Sequence, residues 1–106
     1  MDDATFDRIA DAELHHLEQV LGELDPDELE VELASGVLTL TFSDDQRAVV
    51  NSHRAAREIW MAAFRTAWHF APKEESGRWV WRTAKDELRA TLKRVIEERL
   101  GHPVAV

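Results

Sequence analysis

Glu28-Leu-Glu-Val-Glu-Leu-Ala-Ser-Gly-Val-Leu-Thr-Leu-Thr-Phe42 has the pattern of two β-strands folded over a turn at Ser35-Gly36. Apolar and polar residues alternate with a period of two on both sides of the turn, as in half-buried strands. Because side chains along a strand point alternately to opposite faces, the glutamates of the first strand share one side. We call these glutamates the acid row; they are Glu28, Glu30 and Glu32.

Two segments outside this hairpin have the 3.6-residue period of amphipathic helices. The first covers residues 3–24, with Asp3 or Thr5 as the candidate N-cap. The second covers about 84–100, with Thr83 as the candidate N-cap. Each helix has one apolar stripe, so the simplest packing places both on the same face of a sheet.

Further short strands are predicted after the hairpin, at residues 46–51, 58–63, 68–70 and 78–82. The predicted fold class is therefore α+β. It is a two-layer α-β sandwich, in which the N- and C-terminal helices pack on one face of an antiparallel sheet of about six strands. We expect one domain over residues 1–106.

The composition, with 44% hydrophobic and 32% charged residues, is typical of a soluble globular protein. No apolar run approaches the roughly 20 residues needed to cross a bilayer. The chain has no cysteine, which excludes a disulfide, a thiolate zinc site and thiolate ligation of an iron–sulfur cluster. The first residues are acidic, whereas a targeting segment is basic, so we expect a cytoplasmic protein.

Charge is strongly polarised along the chain. Residues 1–46 contain fourteen acids and one base, a charge of −13, whereas residues 47–106 contain seven acids and twelve bases, a charge of +5. Such an acidic half repels nucleic acids and anionic membranes and attracts cations and basic protein surfaces. We therefore expect neither a nucleic-acid nor a membrane partner.

The acid row has two interpretations. A run of charge is most often a solvated face. However, neighbours such as Glu30 and Glu32 lie about 7 Å apart along a strand, within the roughly 8 Å screening length at physiological salt, so their repulsion lowers stability. Binding of a hard cation or of a basic protein surface would explain that cost. Since no loop wraps the ligands, a metal site here would be shallow and weak.

A second line of candidate ligands lies on the exposed side of the first helix. Its members are three or four residues apart and therefore fall along one line: Asp7, Asp11, His15 and Glu18. His15 could add a nitrogen ligand. The five histidines otherwise show no zinc-like spacing, and we interpret them as separate structural or surface residues.

Core packing explains most of the four tryptophans. Trp60 is the exception, because its strand phase points it to the face that no helix covers, where a tryptophan is a typical anchor for a protein interface. The alternative is burial under a loop. Nucleophile elbows and phosphate loops are missing. The bases Lys85, Arg89 and Lys93 alternate with acids, which favours a solvated helix face over nucleic-acid binding.

Six short pieces of the chain follow one another in an order and spacing that are fairly specific together. They are Phe6-Asp-Arg-Ile-Ala-Asp11, Glu30–Phe42, Val50-Asn51, Glu58-Ile-Trp-Met-Ala62, His69-Phe70 and Trp79 before the final helix. Together they resemble the frataxin family, and within it the bacterial CyaY type. The resemblance covers nearly the whole chain and implies the same α-β sandwich.

Frataxins are small iron-binding proteins that modulate iron–sulfur cluster assembly by docking on the cysteine desulfurase and scaffold machinery. Their acidic ridge binds ferrous and ferric iron weakly and meets a basic surface of the desulfurase. The resemblance implies that the ridge is formed here by Glu18, Glu23, Asp25, Asp27, Glu28, Glu30 and Glu32. It also implies a partner-binding sheet surface that includes Asn51 and Trp60 as well as the acid row.

The sequence departs from the family pattern around that surface. His53 and Ala55 stand where glutamine and proline are usual, Glu58 replaces a glutamine, and Ala63–Ala67 replaces a glycine-containing loop. Two other functions stay open: an acidic interaction module with a different basic partner and incidental metal binding, and, more weakly, a ferroxidase. We expect a monomer, with metal-dependent oligomers as the alternative.

Overall fold

The structure, a computed structural model, describes all residues from 1 to 106. Its elements are α1 (Asp3–Leu21), β1 (Leu29–Ala34), β2 (Val37–Phe42), β3 (Arg47–His53), a 3₁₀ turn (Arg54–Ala56), β4 (Glu58–Ala63), β5 (Thr66–Glu75), β6 (Arg78–Arg82) and α2 (Leu88–Leu100). The six strands form one antiparallel sheet in the order β1 to β6. The predicted sandwich is confirmed, since α1 packs against β1, β2 and β3, and α2 packs against β6. No helix is long and apolar enough to cross a membrane.

The core fills the space between the two helices and the inner face of the sheet. The alternation in the hairpin works as predicted, because Leu38 and Leu40 are fully buried while Glu30 and Glu32 are exposed. Each such leucine contributes about 1.5–3 kcal/mol through burial. The opposite sheet face, which we call the outer face, carries no helix. The outer face is therefore the broad sheet surface that remains open to a partner.

α1 ends at Leu21, three residues before the predicted end of the helix, and its N-cap differs from the predicted one. Asp2, rather than Asp3 or Thr5, is the N-cap, because its carboxylate accepts the backbone N–H of Thr5 at 2.8 Å. The regular helix ends at Leu21, where a glycine follows. A further turn hydrogen bond carries the chain to Leu24, which packs against the core. This contact explains why the apolar period continues beyond the helix.

α2 begins later than predicted. The hydroxyl of Thr83 accepts the backbone N–H groups of the second and third residues after it, which forms a turn in front of the helix. Glu87 is the N-cap, because its carboxylate accepts the N–H groups two and three residues beyond it. The first helical residue is therefore Leu88.

Two strands are longer than predicted. β3 continues two residues beyond Asn51, which adds His53 to the outer face. β5 runs through Pro72 to Glu75, and the turn is confined to Ser76-Gly77. Proline is tolerated there because β4 pairs with β5 only up to Phe70, so β5 is an edge strand on that side.

The α1–α2 contact includes a buried ion pair that the sequence did not reveal. Glu13 of α1 is only 6% exposed, and its two oxygens accept the Nε and Nη2 groups of Arg89 at 2.9 Å each. The hydrogen bonds that Arg89 donates to Glu13 raise the pKa of Arg89. The prediction that Arg89 belongs to a solvated helix face is therefore wrong.

The turn between β4 and β5 is strained and braced. Phe64 and Arg65 both have positive φ angles, 47° and 71°, in place of the glycine that usually adopts them. The ring of Phe64 packs on Phe42, with centroids 5.4 Å apart, and the guanidinium of Arg99 lies 4.5 Å above it. Arg99 also pairs with Asp44 at 2.6 Å. These contacts offset the strain and fix the turn to the end of α2.

Candidate functional site

The exposed part of the acid row lies on the outer face of β1. Glu30 and Glu32 are exposed and stand opposite Thr41 and Thr39 of β2. The four residues border a concavity of about 460 Å³, which Asp45 and Arg47 also line. Carboxylate and hydroxyl oxygens there suit a hard cation or a basic side chain, and Arg47 offsets part of the charge.

Glu28, the third member of the acid row, is already paired within the chain. Its two carboxylate oxygens lie 2.9 and 3.2 Å from Nε2 of His102, in the tail that follows α2. The hydrogen bond with Glu28 raises the pKa of His102, and a second one to the Pro103 carbonyl adds to the effect. Glu28 is thus less available to an outside ligand than Glu30 and Glu32.

The acidic line of α1 meets the turn of the hairpin. Asp11, His15 and Glu18 line a cavity of about 300 Å³ together with Ser35 and Gly36. Nδ1 of His15 lies 2.8 Å from the backbone carbonyl of Asp11. Since a carbonyl only accepts, Nδ1 carries the hydrogen and Nε2 of the neutral ring keeps its lone pair. This arrangement is typical of a histidine that is oriented as a metal ligand.

The first residue of that line does not join the cavity. Asp7 accepts two hydrogen bonds from Arg54, at 2.6 and 3.0 Å, which tie α1 to the 3₁₀ turn. Asp7 therefore has a structural role.

The remaining predicted ridge residues lie in the segment between α1 and β1. Glu23, Asp25 and Asp27 are exposed, and the Asp25 carboxylate accepts the N–H of Asp27 at 2.9 Å. No three histidine, aspartate or glutamate side chains are grouped closely enough to hold a metal ion. The donors present are separate ligands along a surface, which suits a weakly held hard cation. The assignment of each residue to a metal stays a prediction.

A stack of three aromatic rings crosses the middle of the outer face. Trp60 of β4 stands directly opposite Asn51 of β3 and His69 of β5. Its indole lies between the imidazoles of His53 and His69, with centroids 3.8 and 4.2 Å apart and interplanar angles of 16° and 9°. We call His53, Trp60 and His69 the aromatic stack. Trp60 lies on the outer face as predicted, but it is half-buried between two rings.

Glu58 holds the aromatic stack at the polar edge of the indole. Its Oε1 accepts the indole N–H of Trp60 at 2.9 Å and lies 3.9 Å from Nδ1 of His69. Glu58 is also the direct cross-strand partner of His53. The polar edge of the indole is therefore satisfied within the chain, and the stack holds Trp60 in one orientation.

The interpretation of all five histidines as separate residues is wrong for His53 and His69. The predicted third strand ended at Asn51, which left His53 in a connecting loop. One signal was present: Asn51 and His53 are two residues apart, as are Glu58 and Trp60, so each pair shares a strand face.

A family model described as the Frataxin-like domain matches residues 1–102. The chain belongs to the frataxin family. This frataxin is 33% identical over 101 residues to the iron-sulfur cluster assembly protein CyaY of Pseudomonas entomophila, covering 95% of this chain and 91% of that protein. It is 34% identical over 103 residues to the protein of the same name from Ralstonia pickettii, covering 93% and 89%.

A solved structure agrees with these relatives. The frataxin of Psychromonas ingrahamii superimposes with a TM-score of 0.82 at 21% identity, covering 98% of this chain and 96% of that one. At that identity the likeness concerns the fold. The frataxin arrangement of two helices on one six-stranded sheet is thus shared.

Proposed function

We propose that this frataxin is a non-enzymatic, iron-binding protein that modulates iron–sulfur cluster assembly in the cytoplasm. It would dock on the cysteine desulfurase and scaffold proteins through the acid row and the outer face. The observation that carries this proposal is that exposed carboxylates and an ordered tryptophan share one sheet face without a covering helix. The names of the two relatives, which match over about nine-tenths of their length, support the same role.

The electrostatic part of docking rests on Glu30 and Glu32. The surrounding half of the chain has a charge of −13, which attracts a basic partner surface and raises the association rate. Exposed charges act through water, so this attraction is weakened by salt. Trp60 and Asn51 would supply the specific contact, since a held tryptophan loses little freedom on binding.

The iron-binding part rests on the cavity between α1 and the hairpin turn and on the exposed acid row. Asp11, Glu18, Glu30 and Glu32 offer carboxylate oxygens, and His15 offers Nε2. Iron bound there would make the charge of the acidic ridge depend on the iron supply. The open arrangement favours weak binding, and a role as iron donor and one as brake on the desulfurase use the same residues.

The experiment is a binding titration against the cysteine desulfurase of the same organism, with and without ferrous iron, at two salt concentrations. The test variant is Glu30→Lys with Glu32→Lys. The matched control is Glu74→Lys with Glu98→Lys, which changes the net charge equally at two exposed sites away from the acid row. We expect roughly tenfold weaker binding for the test variant, at low salt above all, and little change for the control.

An equal loss in both double variants would assign binding to net charge rather than to the acid row. Absence of binding under every condition would move the function to the second candidate, an acidic module with another basic partner. That candidate is favoured by one observation: His53 and Glu58, which build the aromatic stack, are both departures from the family pattern.

The proposal includes the absence of ferroxidase catalysis. Open surface carboxylates, with no three donors grouped, do not define a site that holds iron in two oxidation states. We expect ferrous iron to be oxidised no faster with the protein than with a scrambled acidic peptide of equal charge. Saturable oxidation at a higher rate would contradict this.

A further inference from the structure

One end of the aromatic stack is closed and the other is open. His53 is half-buried, and its Nδ1 is shielded from solvent. The hairpin turn lies next to this end of the stack, because the N–H of Ser52 donates to the Gly36 carbonyl at 3.1 Å. His69 at the other end has a side chain that is 53% exposed. No strand lies beside it, because β6 ends at Arg82, which pairs two residues further along β5 with Ala71. The outer ring face of His69 is therefore available to a flat group.

A carboxylate stands next to this open ring. Glu58 uses Oε1 for the indole of Trp60, and the same oxygen lies 3.9 Å from Nδ1 of His69. Its second oxygen, Oε2, makes no hydrogen bond within the chain, so the negative charge of Glu58 is not paired with a cation of the chain. The open end thus has an aromatic ring face with a negatively charged carboxylate beside it.

The cation at the end of β6 is already paired with another residue. Arg82 is held by Glu75 through two hydrogen bonds, at 2.5 and 3.0 Å, and that contact raises the pKa of Arg82. The combination of aromatic face and carboxylate therefore remains for a group from another molecule.

We propose that the open end of the aromatic stack binds an arginine side chain of a basic partner protein. The guanidinium plane stacks on the outer face of His69 as a fourth layer, and the neighbouring carboxylate of Glu58 attracts its positive charge. Arginine fits because its cation is planar and weakly hydrated, whereas the ammonium of lysine cannot stack. The net charge of −8 favours a basic partner. This inference rests on the proposed function, since it names the partner chemistry of the same sheet face.

The test uses the isolated protein and small probes. Nuclear magnetic resonance of the ¹⁵N-labelled chain follows the indole N–H of Trp60, assigned with Trp60→Phe, and the backbone amide of His69. The probes are the blocked amino acids N-acetyl-arginine methylamide and N-acetyl-lysine methylamide. We expect the arginine probe to shift both signals and to bind roughly two- to fivefold more tightly than the lysine probe.

Four variants locate the effect. Glu58→Gln keeps an acceptor for the indole but removes the charge, and His69→Ala removes the stacking face; both should abolish the preference for arginine. Glu74→Gln removes one charge from an exposed site on β5 away from the stack and should leave the preference unchanged. His69→Phe, which restores a flat ring, should recover it.

Equal shifts from both probes, or equal losses in Glu58→Gln and Glu74→Gln, would overturn the inference in favour of general charge attraction. The desulfurase titration is independent of this test. An arginine preference without desulfurase binding would keep the site and remove the proposed function. Desulfurase binding without an arginine preference would do the reverse.

Discussion

Replacing Arg89 by methionine leaves the carboxylate of Glu13 without its partner at the junction of α1 and α2. Glu13 is 6% exposed and Arg89 is 34% exposed, so the pair is sealed on one side and reached by water on the other. Both carboxylate oxygens accept hydrogen bonds from the guanidinium in the native protein. Methionine keeps the apolar stem of the side chain and removes only the charged group.

Loss of one partner from a fully buried pair costs about 3–5 kcal/mol. Because water reaches Arg89, we expect a loss of about 2–3 kcal/mol, a large part of the 5–15 kcal/mol that is typical of a domain. The additional substitution Glu13→Leu removes the stranded charge. The double variant should therefore recover most of the loss, to within about 1 kcal/mol of the native protein.

Urea unfolding followed by circular dichroism measures the effect. With a slope of about 1–3 kcal/mol per molar urea, the midpoint should fall by roughly 1–2 M for Arg89→Met. The control is Arg94→Met on the same helix, where the side chain is 53% exposed and lies 3.7 Å from Glu98. Its midpoint should change little, since exposed pairs contribute about 0–1 kcal/mol. Equal small shifts in both variants would refute the reasoning from burial.

Three further perturbations test local features, each by urea unfolding. His102→Gln, studied with chelator between about pH 6 and 8, should flatten the pH dependence of stability. Contact with Glu28 raises the pKa of His102 in the folded protein. The stability that this contact contributes is therefore complete below the ordinary pKa of histidine and is lost as pH rises through the raised pKa. Parallel curves for variant and native protein would contradict this. Gly36→Ala should cost about 1–2 kcal/mol, because φ is +76° and a Cβ would lie 2.9 Å from Oγ of Ser52; an unchanged midpoint would argue against strain. Arg65→Gly should raise the free energy of unfolding by about 0.5–1 kcal/mol, because glycine adopts the positive φ without strain. A lower free energy of unfolding would show instead that the Arg65 side chain stabilises the turn.

The hairpin that carries the acid row could be predicted because its information is local. Alternation at period two and the Ser35-Gly36 turn lie within fifteen residues, and both turn residues adopt the positive φ angles that such a turn needs. The start of α2 was misplaced for an equally local reason. A threonine before a run of helix formers can close a turn or cap a helix, and the same sequence fits both.

The aromatic stack and the buried ion pair could not be predicted in this way. Glu13 and Arg89 are 76 residues apart, and the charges around Arg89 have the pattern of a solvated face. His53 follows a serine and precedes an arginine, so its segment has the composition of a loop. It becomes a strand residue because it pairs with Glu58 on β4, which is a tertiary interaction.

The position of β1 in the sheet gives the acid row a use that needs no ligand. The strands run in order from β1 to β6 without closing, so β1 is an edge that exposes unpaired backbone groups. Edge strands of this kind promote aggregation by pairing with the same edge of a second molecule. Pairing of β1 with its own copy would bring Glu30 and Glu32 against the same carboxylates, and this repulsion opposes it. Lysine variants keep charge at this edge, whereas we expect glutamine variants to self-associate.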